Sequence, residues 1–253
     1  MHRLFLLLFL IVSGASLAQA QPGSLLSSPT ASTAELVTEN RTIAPGGTFT
    51  LALKLDHPDD WHSYYQNSGG VEQPPAIKWS LPEGFTAGPI QWPVPEVKDG
   101  YFGKSFVYSG SPVFLIDITA STSSTAGSNV EIKADATWQI CKESCISEAK
   151  SFSLTLPIGT TGEKDPAQAA LFEAARKSQP AKVTELKARS HPTGGDITLM
   201  VEAEGVFKEA PADFIPDQPF VLAASAGGSI ARDGEAWVVT LKRATKDILD
   251  NDI

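Results

Sequence analysis

The fold is decided by residues 130–156, which read VEIKADATWQICKESCISEAKSFSLTL. From Val130 to Gln139 apolar and polar residues alternate, and this period of two predicts a half-buried β-strand. Phe152, Leu154 and Leu156 resume the alternation after the cysteines. The two segments therefore predict neighbouring strands, joined by a loop of about ten residues that carries the cysteines at or beside a hairpin end.

Strand signals outside this segment indicate the fold class. Residues 49–56 alternate in the same way, and Val113–Ile118 form a more continuous apolar strand. Proline and glycine clusters at 44–47, 73–75, 82–84 and 109–112 mark turns between the strands. Many short strands with regular turns predict an all-β fold, an antiparallel β-sandwich of immunoglobulin-like size.

One helix is expected after the sandwich. Asp165 is suited to an N-cap, and Pro166 to the first helical position. The helix should run to about Ser178 and end before Pro180, and we interpret it as a linker whose apolar residues serve packing. Further strand-like stretches at 197–203, 220–224 and 236–241, with a turn at 233–235, predict a second, smaller β unit.

The N-terminus has the features of an export signal. A short basic start precedes the apolar run Leu4–Val12, and Ala18-Gln19-Ala20 is a small-x-small cleavage pattern. The run is far shorter than the about 20 residues needed to span a bilayer. We therefore expect a soluble periplasmic protein. The predicted segments are a signal peptide (1–20), a flexible leader (21–33), a redox β-sandwich (34–160), a linker helix (161–180) and a second β domain (181–253).

Composition narrows the classes of function. The net charge is −9 and the basic residues are scattered, whereas nucleic-acid binding requires a basic stripe, so no nucleic-acid partner is expected. No nucleophile elbow, phosphate-binding loop or dinucleotide fingerprint is present. His191 lies in a Ser-His-Pro-Thr-Gly-Gly stretch that we interpret as a loop.

The chain has two cysteines, Cys141 and Cys145, four positions apart. In an oxidising compartment such a pair forms either a structural disulfide or a redox couple. Closing so small a loop stabilises the fold by only about 2 kcal/mol in the chain-entropy model, about half the value for a 100-residue loop. The spacing favours a reversible couple, while a structural bridge, a metal site and free thiols stay open.

Two aromatic segments and one polar cluster are further candidates. In Trp61–Tyr65 and in the loop Asp99–Ser105, aromatic residues could pack on the sandwich, contact a ligand or partner, or cover the cysteines. Trp138 is interpreted as core rather than as a lid. No metal site is expected from the polar cluster, because its histidine spacing fits no strong motif; its members are Asp56, His57, Asp59, Asp60 and His62.

Together, the stretches 138–145, 99–105 and 61–65 resemble the N-terminal periplasmic domain of the thiol:disulfide interchange protein DsbD family. The branch related to the copper-sensitivity suppressor ScsB, with its W-x-x-C-x-x-x-C motif, is most similar. The resemblance covers about Leu36 to Leu156 well and the remainder loosely. It implies an immunoglobulin-like domain with two electron-shuttling cysteines.

The resemblance also implies roles for individual residues. Cys141 and Cys145 would be the redox pair, with Cys145 forming mixed disulfides. The residues implied to surround them are Tyr101 and Phe102 as an aromatic cap, Asp99 as a cap-loop acid, Tyr64 as an active-site tyrosine, His62 in place of a second tyrosine, and Trp138 of the motif. Gly100 replaces a second acid of the family's cap loop.

Partners follow from the same resemblance. A thioredoxin-like domain or protein, fed through the membrane, would supply electrons, and periplasmic thiol proteins would accept them without any bound cofactor. The family's membrane and thioredoxin-like domains are missing here, so we expect an external reductant or a longer parent protein. Cytochrome c assembly and copper tolerance are the processes this implies. Two alternatives stay open: a non-catalytic binding or assembly module with a structural disulfide, and a copper-handling protein.

Overall fold

The computed structural model describes residues 32–100, 103–183, 187–193, 196–202, 213–218, 229–234 and 236–242. The predicted signal peptide and nearly all of the predicted leader lie outside these residues. Ser32 is buried, and Thr33 begins the first strand. Ser32 donates hydrogen bonds to Glu148 and thereby anchors the start of this strand.

The described part of the chain is mostly β-structure with one short helical segment. A 3₁₀ turn at Pro166–Gln168 leads into the helix α1 at Ala169–Lys177. The strands are β1 Thr33–Thr38, β2 Asn40–Thr42, β3 Thr48–Asp56, β4 His62–Tyr64, β5 Ala76–Ser80, β6 Thr86–Gln91, β7 Glu96–Gly100, β8 Gly103–Ser109, β9 Val113–Thr119, β10 Asn129–Cys141, β11 Cys145–Pro157, β12 Glu163–Lys164, β13 Lys187–Thr193, β14 Asp196–Glu202, β15 Ser229–Asp233 and β16 Ala236–Lys242.

Two antiparallel sheets form the sandwich predicted from the sequence. The first has the order β1-β3-β9-β6, and the second has the order β11-β10-β4-β8-β7, with β5 also paired to β10. Inward side chains of both sheets share one core, as alternation requires. The first sheet contributes Leu51, Leu53, Phe114 and Ile116, and the second contributes Ile132, Ala134, Trp138, Ile140, Phe106 and Tyr108.

The hairpin of β10 and β11 corrects one prediction. The two strands pair without interruption from Asn129↔Pro157 to Cys141↔Cys145. Only residues 142–144 form the loop, so the expected connection of about ten residues is wrong. The apolar alternation did not reveal the first part of β11, because Glu148 there is a charged residue that is buried with polar partners of its own. Both cysteines therefore sit on strands at the tip of a tight hairpin.

The predicted helix is confirmed, with a tighter first turn than expected. The Asp165 carboxylate accepts a hydrogen bond from the Ala167 amide at 3.0 Å, the arrangement of an N-cap. Phe172 is fully buried against Ala52 and Leu115, whose side chains point away from the core of the sandwich. The packing role of Phe172 is thus confirmed, and α1 covers the outer face of the first sheet. Within the described residues no helix is long and apolar enough to cross a bilayer.

Residues beyond the helix form a separate sheet with the order β13-β14-β16-β15. The interpretation of His191 as a loop residue is wrong, because it lies in β13 and pairs with Thr198. β13 is an edge strand, where Pro192 can lack its amide hydrogen without breaking an inner ladder. The strand expected at 220–224 lies outside the described residues, and the domain boundaries remain a prediction.

Candidate functional site

Cys141 and Cys145 form a disulfide at the tip of the β10–β11 hairpin, with Cα atoms 4.1 Å apart. The two residues are direct cross-strand partners, so their side chains project from the same face of the sheet. This face is the outer one, opposite the core, because Ile140 and Trp138 alternate inward. A long, regularly paired hairpin therefore presents the disulfide on a rigid support.

The two cysteines differ in their exposure. Cys141 is 4% exposed and packs against Tyr64 and Val107 in a small apolar cluster. Cys145 is an exposed residue. A thiolate in solution would therefore reach the sulfur of Cys145 before that of Cys141. The structure distinguishes one accessible cysteine from one shielded cysteine.

The neighbouring strand β4 brings two ring side chains to the disulfide. His62 is the cross-strand partner of Cys141, and Tyr64 follows two residues later on the same face. The His62 Nε2 atom and the Tyr64 hydroxyl are 3.2 Å apart, and the rings meet edge to face. The structure therefore brings together four of the residues expected at the site: Cys141, Cys145, His62 and Tyr64.

Burial and nearby charges shift the pKa values of both ring side chains. Desolvation lowers the pKa of His62, and the charge of Lys98 lowers it further. A hydrogen bond to the Asp60 backbone and the charges of Glu72 and Glu96 act in the opposite direction. Desolvation, together with the charge of Glu72, raises the pKa of Tyr64 to about 12. Tyr64 therefore keeps its hydroxyl proton at neutral pH.

The predicted cap loop connects β7 to β8. Tyr101 and Phe102 lie outside the described residues, but their flanking glycines pair with each other across the hairpin. Gly103 has a φ of +123°, a conformation that L side chains rarely adopt. A Cβ atom on Gly100 would collide with the Ser105 hydroxyl oxygen. The positive φ thus favours glycine at position 103, and a side chain at position 100 would require the Ser105 side chain to move. The exposed carboxylate of Asp99 forms an ion pair with Lys104 at 3.3 Å.

Trp138 lies on the face opposite the disulfide. Its side chain is buried in the core, and its indole nitrogen donates to Glu148 at 2.7 Å and to the Ser32 hydroxyl at 3.0 Å. The interpretation of Trp138 as core is confirmed. The resemblance implied that Trp138 lies among the residues around the cysteines, whereas the structure places its side chain in the core, on the other face of β10.

The polar cluster at residues 56–62 divides between the two faces. His57 is buried and its Nε2 atom lies 2.9 Å from the Ser63 hydroxyl, whereas His62 faces the disulfide. Asp60 pairs with Lys142 of the cysteine loop at 3.0 Å. Among the described residues, no three histidine, cysteine or acidic side chains are placed to hold a metal ion.

Sequence reasoning missed two parts of the site. Glu72 acts on both ring side chains from the loop after β4, and Glu96 and Lys98 of β7 form an ion pair at 3.4 Å on the same face. Lys98 also donates to the Ser109 hydroxyl at 2.7 Å. The alternation of β7 could have placed Glu96 and Lys98 on one face, but nothing local in the sequence signalled Glu72.

Comparisons with known proteins agree with this architecture. Residues 33–157 match the family described as thiol:disulfide interchange protein DsbD, N-terminal. The crystal structure of the N-terminal periplasmic domain of ScsB from Proteus mirabilis aligns with a TM-score of 0.62 and 19% identity, covering 88% of this chain and 86% of that chain. No curated protein matches the chain.

Two other solved structures align over about half of this chain. The yeast GGA1 GAE domain aligns at 16% identity over 49% of this chain and 88% of its own length, with a TM-score of 0.27. AvmM, from alchivemycin A biosynthesis, aligns at 12% identity over 51% of this chain and 90% of its own length, with a TM-score of 0.24. Neither similarity is strong enough to support an argument about fold or function.

The fold and the site define a class: an immunoglobulin-like β-sandwich that carries a disulfide-bonded cysteine pair at a hairpin tip. Within that class, residues 33–157 belong to the DsbD N-terminal domain family. The paired cysteines and the family together fit a thiol–disulfide exchange domain.

The buried His57 predicts a pH dependence of stability. Desolvation lowers its pKa from 6.5 to about 4, so the unfolded chain binds a proton at a higher pH than the folded protein does. The stabilisation is present above pH 6.5 and is lost as the pH falls through 4, by at most about 3 kcal/mol. Denaturant unfolding between pH 7 and pH 4 measures this loss, and His57→Gln should reduce the slope. An unchanged slope in the variant would assign the loss to the carboxylates instead.

Proposed function

We propose that this domain passes reducing equivalents to exported thiol proteins by thiol–disulfide exchange through Cys141 and Cys145. The observation that carries the proposal is the pairing of one exposed and one shielded cysteine at the tip of a rigid hairpin. A structural bridge gains little from closing so short a loop, about 2 kcal/mol. A disulfide accessible from one side suits controlled exchange.

Reduction begins when a thiolate of the donor attacks the sulfur of Cys145. A new disulfide forms between Cys145 and the donor, the Cys141–Cys145 bond breaks, and its electron pair stays on the sulfur of Cys141. A second thiolate of the donor then attacks the mixed disulfide and releases Cys145. The donor is oxidised, this domain is reduced, and the same steps in reverse reduce a client.

The proposed electron donor and the proposed electron acceptors are both proteins that undergo thiol–disulfide exchange. A thioredoxin-like dithiol protein, linked to a membrane domain or separate, supplies electrons, and periplasmic disulfide proteins receive them. Export by the signal predicted at residues 1–20 would place the domain in the periplasm. The exchange needs no bound cofactor, because the two sulfurs carry the electrons.

The order of events at the two cysteines is testable by trapping. Cys141→Ser should leave Cys145 bonded to its partner, because the thiol that resolves the intermediate is missing. Cys145→Ser should abolish exchange, because the remaining thiol is shielded by Tyr64 and Val107. Each reduced variant is mixed with the oxidised, disulfide-bonded form of a thioredoxin-like protein, so that the variant's thiolate attacks the partner's disulfide, and non-reducing electrophoresis detects the mixed disulfide. If Cys145→Ser traps the mixed disulfide and Cys141→Ser does not, then Cys141 forms the mixed disulfide and Cys145 resolves it, the reverse of the proposal.

We also propose that Tyr101 and Phe102 form a movable cover over the disulfide. The hairpin of β7 and β8 lies on the same sheet as β4 and β10, and its tip carries this aromatic pair. Such a cover slows attack by unrelated thiols, because the rate of exchange depends on access to the sulfur.

Removal of both rings tests the cover. Tyr101→Ala combined with Phe102→Ala should accelerate reduction by glutathione about tenfold or more, with nearly unchanged thermal stability. Reduction kinetics and a thermal melt are measured on the same preparations. If reduction is unchanged and the variant melts well below the wild type, the two rings belong to the core and the cover does not exist.

A further inference from the structure

The loop between β4 and β5 returns over the outer face beside the disulfide. The amide of Gln73 donates to the Gln139 side chain at 3.1 Å, and Gln139 precedes Cys141 by two residues on the same face of β10. Nearer its start, the Phe106 amide donates to the Ser68 carbonyl at 3.0 Å. The loop is therefore fixed at both ends, with Glu72 held between them.

The carboxylate of Glu72 is placed for an electrostatic role. Its Oε2 atom is buried and accepts no hydrogen bond from the described residues. Leaving a carboxylate oxygen buried without a donor costs free energy, so the position is not explained by stability. The contact of its neighbour Gln73 with Gln139 holds Glu72 beside the outer face of β10, where its charge opposes the lowering of the His62 pKa by burial and adds to the raising of the Tyr64 pKa.

We propose that Glu72 is a positioning residue for disulfide exchange: its negative charge stabilises the protonated imidazole of His62, which delivers a proton through Tyr64 to the sulfur of Cys141. The inference rests on the proposed exchange function and adds a residue to it. Tyr64 is the link because its hydroxyl lies 3.2 Å from His62 Nε2 and its side chain packs against Cys141.

The proton follows the electron pair. When the donor thiolate attacks Cys145, the broken bond leaves a thiolate on Cys141 among apolar neighbours, where a charged sulfur is disfavoured. The Tyr64 hydroxyl donates its proton to this sulfur and takes one from His62 Nε2. His62 becomes neutral and regains a proton from water, so Cys141 leaves as a thiol.

Other charged groups act on His62 from the elements around it. Lys98 lowers the pKa of His62, and Glu96 raises it. Glu96 already forms an ion pair with Lys98 and accepts hydrogen bonds from Ser109. Asp60 contributes its backbone to His62, while its carboxylate pairs with Lys142. Glu72 is thus the carboxylate near His62 whose charge is not shared with a described cation.

The test compares Glu72→Gln with Glu143→Gln. Both variants lose one negative charge near the disulfide, but Glu143 is an exposed residue of the cysteine loop. Two quantities are measured in each oxidised protein. One is the His62 pKa by NMR titration, and the other is the second-order rate constant of reduction by dithiothreitol, calculated from the concentration of its thiolate form. Glu72→Gln should lower the pKa of His62 and slow reduction about tenfold. General acid catalysis typically accelerates a reaction by about 10²–10⁴-fold, so this loss is a part of that acceleration. Glu143→Gln should change neither quantity.

Glu72→Asp keeps the charge and should restore most of the rate, which separates electrostatics from packing and provides a second folded variant. Equal effects of the two glutamine variants, or an unchanged rate in Glu72→Gln, would overturn the inference. In those cases the wild type still exchanges and the proposed function stands. A wild-type disulfide that does not exchange with a thioredoxin-like dithiol protein would instead defeat the proposed function itself.

Discussion

The structure depends on the uninterrupted pairing of β10 with β11. Thirteen residues of each strand are in register from Asn129↔Pro157 to Cys141↔Cys145. Because the period of a strand is two, this register decides at once which side chains enter the core and which face outward. A slip by one residue would bury the charged residues of β10 and move the disulfide away from its neighbours on β4.

The two faces of the second sheet have different roles: the inner face stabilises the fold, and the outer face carries the disulfide. The inner face carries Trp138 and Ile140, which pack against the first sheet and stabilise the sandwich. The outer face carries the disulfide, His62 and Tyr64, which contribute few core contacts. Stabilities of about 5–15 kcal/mol are typical of domains, so a core of this kind should tolerate opening a bridge worth about 2 kcal/mol. The arrangement lets the disulfide open while its support stays folded.

The sequence predicted the features that depend on local alternation. Apolar residues at every second position of β3 and β10 indicated the strands, and Asp165 with Pro166 indicated the start of the helical segment. Features that depend on distant partners were not predictable. Glu148 interrupts the apolar alternation of β11, and the hydrogen-bonding partners that allow its burial, Trp138 and Ser32, lie 10 and 116 positions away in the sequence.

The candidate site shows the same division. The cysteine pair was evident from spacing, and the resemblance to the DsbD family indicated the positions of His62 and Tyr64. Which cysteine is shielded became visible only in the packing of Cys141 against Tyr64 and Val107. No sequence motif indicated the position of Glu72, because that position depends on contacts of its loop with β8 and β10.

The central claim is that the Cys141–Cys145 disulfide is a reversible couple on a fold that does not need it. Its most direct test is the reduction potential, measured by equilibrating the protein with a series of dithiol redox buffers while circular dichroism monitors the fold. The account predicts a potential above about −300 mV and an unchanged spectrum in the reduced protein. A potential below about −300 mV, or loss of the β spectrum on reduction, would show that the disulfide is a structural bridge.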